Sequence, residues 1–71
     1  MIIIDLTQYR CPLPLVKVKL ALKQLAVGEC IRVVLSDTGS RQDVPRYLKK
    51  AGFCYSVSED NDTILSLMVT K

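Results

Sequence analysis

The group with the clearest chemical potential in this chain is the thiol of Cys11, set in Arg10-Cys11-Pro12-Leu13-Pro14. Two alternating prolines directly after a cysteine read as a stiff elbow at the start of a helix. Cys11 then reads as the N-cap and Pro12 as the first helical residue, where its preset φ fits and its missing N–H goes unmissed. Pro14 falls at the third position. Of the four unpaired N–H groups at a helix start, the two prolines remove a pair, and the Leu13 N–H is expected to point at the cap sulfur. A helix terminus contributes roughly 0.3–1 kcal/mol, or about half a pKa unit, and Arg10 adds to it. From a starting value near ~8.5, the expectation is a mildly acidified thiol. Such a thiol suits sulfur exchange, because attack and release are best balanced when the pKa lies near ambient pH. The competing reading is a buried structural cysteine.

The absences narrow the chemistry. The 71 residues contain no histidine, which removes histidine bases, Cys–His dyads and His-containing metal sites. Cys11, Cys30 and Cys54 lack the short spacing of a thiolate zinc site, so no metal and no cofactor is expected. Their odd number argues against a disulfide framework. Cys30 and Cys54 read as structural, each mid-strand on the face away from the apolar stripe. No catalytic base stands near Cys11 in the sequence, so a reaction there depends on a partner's groups. Ten basic and seven acidic residues give +3, a mild balance specific for neither nucleic acid nor an acidic partner. Lys17, Lys19 and Lys23 have no interleaved aromatics and read as a solvated face, so direct nucleic-acid binding is not expected.

The elements that must position Cys11 follow from periodicity. Ile2 to Leu6 is short and β-branched, which predicts a strand. Leu15, Val18, Leu22 and Leu25 recur at helical spacing, flanked by Ala21 and Ala26, predicting an amphipathic helix over 15–26 capped by Gly28. Ile31, Val33 and Leu35 alternate with Cys30, Arg32 and Val34 in a strand over 29–36. Asp37 to Ser40 reads as a turn. Val44, Tyr47, Leu48 and Ala51 predict a second, shorter helix ending at Gly52. Its start is open between Ser40, paired with Asp43 as a capping box, and Asp43 itself with Pro45 in the first turn. Phe53, Tyr55 and Val57 alternate in a third strand, 59–62 is a polar turn, and Leu65, Leu67 and Val69 alternate through a fourth strand to Lys71.

One βαβαββ domain over residues 1–71 accounts for the whole chain: an α/β (α+β) two-layer sandwich with a mixed four-stranded sheet. Crossover connections between parallel strands are almost always right-handed, which places both helices on one face. The loops leaving the first two strands, 7–11 and 37–43, then emerge together at the carboxyl end, where sites gather in open α/β sheets. The uncovered face, with Ile3, Cys30, Val34, Ile64 and Met68, suggests a dimer or a covering partner. Leu13, Val16 and Leu20 fall outside the buried arc of the first helix, as a docking patch would. No apolar run approaches the ~18 residues of a membrane span. Met1-Ile2-Ile3-Ile4-Asp5 has no basic region ahead of its apolar residues. Both point to a cytoplasmic location, with no membrane partner.

Asp5, Cys11-Pro12-Leu13-Pro14, Gly28-Glu29, Asp37, Asp43-Val44-Pro45 and Gly52 together resemble the TusA/SirA/YedF family of small sulfur-carrier proteins over essentially the whole chain. The resemblance implies a two-layer fold similar to the C-terminal domain of translation initiation factor three. It also implies that Cys11 accepts sulfane sulfur as a persulfide from a cysteine desulfurase or another sulfurtransferase and passes it to an acceptor protein. The pathway would be tRNA thiolation or other sulfur or selenium metabolism. Pro12 and Pro14 would shape the loop, with Arg10 and Leu13 beside it, while Asp5, Asp37 and Asp43 would form the surrounding framework. Gln8 stands where the family commonly has glycine, which implies a reshaped loop. A single acid at Ser36-Asp37, where members often have two, implies a branch other than tRNA thiolation. The alternative is a regulatory or protein-interaction module that keeps the fold and uses the elbow for docking.

Overall fold

The strand β2, Cys30–Leu35, defines the two layers. Ile31, Val33 and Leu35 are buried and alternate with half-buried Cys30, Arg32 and Val34, as a strand covered on one face requires. The structure, a computed structural model, describes residues 2–71; Met1, part of the expected 1–71 domain, lies outside them. The order is β1 (Ile2–Asp5), α1 (Leu13–Gln24), β2, α2 (Thr38–Ala51), β3 (Cys54–Asp60) and β4 (Leu65–Thr70). The sheet runs β1-β2-β4-β3. β1 and β2 are parallel, and β4 is antiparallel to both β2 and β3. The expected α+β sandwich is the observed one.

Val18 and Leu22 of α1 join Val44 and Leu48 of α2 over Ile31, Val33, Leu35, Leu65, Leu67 and Val69. Both helices therefore cover the same face. The opposite face is more polar than expected. Its central row runs Ile3, Arg32, Met68, Ser56 and the next Asp5, Val34, Ser66. Ile64, assigned to that face, instead precedes β4 and accepts the Asn61 N–H through its carbonyl.

Helix boundaries differ from expectation for non-local reasons. The first helix ends at Gln24 with Leu25 extended, short of Ala26, and Gly28 is not its cap. Lys71 supplies that function from the other end of the chain, its Nζ donating to the carbonyls of Leu22 and Leu25 at 2.7 and 2.8 Å. Gly28 serves the following turn with φ +93°. Leu15 and Ala21 are half-buried beside the core and Ala26 is exposed. The expected turn over 37–40 is the opening of α2. Asp37 is the cap, and Pro45 lies well inside the helix, its cost offset by burial of Val44 and Leu48. β3 continues to Asp60 through a bulge between Val57 and Glu59, with the Ser58 hydroxyl bonded to the Ser66 carbonyl and hydroxyl. The bulge takes up the residue that a regular ladder would not accept.

Candidate functional site

Parallel β1 and β2 deliver their outgoing loops to one end of the sheet, where hydrogen bonds shape those loops and tie them together. Asp5 accepts the N–H and hydroxyl of Thr7, shaping the turn out of β1; its carboxyl lies below the ordinary range chiefly through the Thr7 hydroxyl. The Ser36 hydroxyl donates to the Thr7 carbonyl, tying the end of β2 to the same turn. The Cys11 N–H donates to Asp37 Oδ2 at 3.1 Å. Gln8 adopts no positive φ, since no non-glycine among the described residues does, so the loop here has no geometric need of glycine at that position.

Cys11 is exposed, which removes the buried-cysteine reading, but it is not the helix cap. Pro12 takes that position, and no side chain caps α1. The Leu13 N–H donates to the Arg10 carbonyl at 2.9 Å rather than to sulfur. The Cys11–Pro12 peptide bond is cis. Pro14 is buried, while Pro12 and half-exposed Leu13 flank the thiol at the surface.

The thiol faces α2. Its S–H donates to Asp43 Oδ2 at 3.5 Å. Asp37 Oδ2 accepts the N–H and hydroxyl of Ser40 as well as the Cys11 N–H. The acidified thiol expected from the helix terminus is therefore replaced by its opposite. The hydrogen bond to Asp43 comes first among the causes, then partial desolvation by the surrounding loop, then the negative charges of Asp43 and Asp37, and together they raise the Cys11 pKa above the ordinary thiol value. A hydrogen bond to a carboxylate stabilises the protonated form of a thiol, and a nearby anion disfavours the thiolate. Of the expected residues, Cys11, Asp37 and Asp43 make direct contact. Arg10 acts on Asp37 electrostatically, and Asp5 braces the loop from a distance.

Sequence reasoning missed two residues. Gly39 brings the first turn of α2 against the thiol: a Cβ there would lie 3.4 Å from Cys11 Cβ and 3.8 Å from Sγ, ordinary contact distances. Ser40, 1% exposed, fixes the Asp37 carboxylate. The Asp37-x-x-Ser40 spacing, a helix cap followed by its N3 residue, is the signal that could have found it.

The Asp37 carboxyl is held below the ordinary range, first by the Ser40 N–H and next by the Cys11 N–H. A folded-state pKa below the unfolded one means that its contribution to stability is present above about pH 4 and lost as the pH falls through the lower folded value. Asp37→Asn retains a capping oxygen but does not titrate. The expected result is near-normal folding at pH 7 and a shallower acid-unfolding limb, measured by circular dichroism.

Among the described residues no cluster of three His, Cys, Asp or Glu side chains is placed to hold a metal, and no helix is long and apolar enough to cross a membrane. Cys54 is exposed rather than enclosed, and Cys30 is half-buried with Sγ 3.2 Å from the Thr70 hydroxyl. Both open their strands rather than lying mid-strand. The sequence of residues 2–71 matches the family model described as sulfurtransferase TusA.

The chain belongs to the TusA family.

Relatives of this TusA-family chain include an Archaeoglobus fulgidus protein provisionally named a sulfur carrier, 42% identical over 52 residues, or 73% of this chain and 71% of the relative. A Neisseria meningitidis protein named in the same provisional way is 29% identical over 93% of this chain and 89% of its own. The crystal structure of a SirA-like protein from Desulfitobacterium hafniense superposes with a TM-score of 0.83 at 25% identity, covering 99% of this chain and 96% of that one. The resemblance first carried by the cysteine–proline motif thus extends to the complete fold.

Proposed function

We propose that this TusA-family protein is a sulfur carrier that accepts sulfane sulfur on Cys11 as a persulfide and hands it to an acceptor protein. The supporting observation is the placement of Cys11: an exposed sulfur at the carboxyl end of the parallel strands, its backbone fixed by Asp37. A carrier has to expose its reactive atom to two successive proteins and hold it still for each. An open groove lined by Thr7, Gln8, Tyr9, Arg10, Ser36, Asp37 and Thr38 runs beside it. The donor would be a cysteine desulfurase or another sulfurtransferase, and the setting a reducing cytoplasm. The single acid at Ser36-Asp37 favours an acceptor outside tRNA thiolation.

Loading tests this reading directly. The reduced protein, incubated with a cysteine desulfurase and cysteine, is expected to gain one sulfur (~32 Da) located by peptide mapping on Cys11. An adduct on Cys30 or Cys54 instead overturns it. The second reading, a docking module without sulfur chemistry, is favoured by Leu13, Val16 and Leu20, which are 50%, 46% and 56% exposed along α1. In that case loading fails while partner capture persists.

A further inference from the structure

Two carboxylates reach Cys11, and their bonding separates their roles. Asp37 spends Oδ2 on structural donors: it accepts the N–H and hydroxyl of Ser40 and the N–H of Cys11, and Arg10 stands near it. Asp43, six residues further along, spends its Oδ2 on the sulfur itself, 3.5 Å away. That is its one side-chain hydrogen bond among the described residues, and it has no ion-pair partner there. The charged groups facing the thiol are therefore Asp43 and Asp37 from α2, with Arg10 from the thiol's own loop acting through Asp37.

We propose that Asp43 is the proton acceptor for Cys11, a catalytic base supplied by the carrier itself rather than by its partner. This rests on the carrier reading of Cys11. The Cys11 sulfur attacks the outer sulfur of a protonated donor persulfide, RS–SH. A bond forms between Cys11 Sγ and that sulfur as the donor S–S bond breaks, and the donor leaves as RS⁻. The Cys11 proton passes to Asp43 Oδ2 as the new bond forms. Asp43 then releases it to RS⁻, giving Cys11–S–SH and RSH with no net oxidation or reduction. The geometry explains why the resting thiol is kept protonated: its proton already points along the transfer path. A carrier built this way is quiet toward stray electrophiles and reacts when a sulfur donor is aligned with the bond.

The test compares wild type with Asp43→Asn and Asp43→Glu in two reactions: alkylation by iodoacetamide, which reads the thiolate fraction, and sulfur uptake from glutathione persulfide, read by intact mass. The donor's own ionisation cancels when proteins are compared at one pH. Asparagine keeps an oxygen that can accept the S–H but removes the negative charge that holds the thiol protonated and the group that can take its proton. Asp43→Asn is therefore expected to shift the alkylation midpoint to lower pH and speed alkylation at pH 7. Sulfur uptake is expected to fall by roughly 100-fold, the lower end of a positioned proton acceptor's contribution, with partial recovery in Asp43→Glu. A purely structural role would not move the two reactions in opposite directions. If uptake by Asp43→Asn rises in step with alkylation, or if Asp43→Glu recovers nothing, the assignment is overturned. Wild-type protein that is alkylated yet takes up no sulfur overturns the carrier reading itself. Circular dichroism checks the fold of each variant, which the half-buried position of Asp43 leaves intact.

Discussion

Cys11→Ser is expected to abolish sulfur loading, while Cys30→Ser and Cys54→Ser load to the wild-type extent. Serine is nearly isosteric with cysteine, so the loop and its contacts to Asp37 should survive. What disappears is the sulfur nucleophile, since a hydroxyl cannot form or hold the S–S bond that stores the cargo. Cys30 and Cys54 provide the internal control: both are thiols, and Cys54 is exposed, so accessibility alone does not predict which residue loads. They lie at the starts of β2 and β3, away from the loops that hold Cys11. The measurement is intact mass after desulfurase treatment, followed by cyanide, which strips sulfane sulfur. Loading of Cys11→Ser comparable to wild type would refute the carrier assignment.

Leu67→Ala is expected to cost about 2–5 kcal/mol, the usual range for removing a buried leucine and leaving a cavity. Leu67 is 0% exposed on β4, paired with Val33 of β2 and Val57 of β3, so it sits at the centre of the sheet beneath both helices. Neither neighbouring strand can collapse into the space without breaking its ladder. At about 0.05–0.15 kcal/mol per residue, a chain of 71 residues has roughly 4–11 kcal/mol in total. The substitution therefore removes a large share of it, and urea unfolding should show a much lower midpoint with a similar slope. Leu20→Ala, on the exposed side of α1, is the matched control and should change stability little. A midpoint for Leu67→Ala within error of wild type would contradict the assignment of the core.

The parts of the fold legible in the sequence are those specified by neighbours along the chain. Period-2 alternation in β2 and β4, helical spacing through Val18 and Leu22, and Gly52 at the end of α2 each state a local preference that packing then uses. Errors arose where a distant residue completes the local structure. The end of α1 is settled by Lys71, whereas the start of α2 is a local Asp37–Ser40 cap overshadowed by Pro45. Pro45 drew the expected helix start too far along because its intrinsic penalty is visible in sequence, whereas the burial that overrides it is not. Cys11 shows the same division more sharply. Its motif and its place at the carboxyl end of the strands were readable. The charge environment was not, because helix-end electrostatics push the thiol one way and two carboxylates from α2, 26 and 32 residues away, push it the other and win.

Cys30 and Cys54 both pair with Thr70, on its two sides, so two strand spacings separate their backbones, roughly 9–10 Å. A disulfide spans at most about 7 Å between Cα atoms, and the five-residue rise of β2 puts Cys30 roughly 16 Å from that strand's far end, where Cys11 is held. The chain therefore contains no second thiol within disulfide reach of Cys11. A persulfide that met such a neighbour would collapse to an internal disulfide and expel hydrogen sulfide. On the carrier reading that self-discharge would be barred by distance, and a sulfur loaded on Cys11 would await a thiol on another molecule.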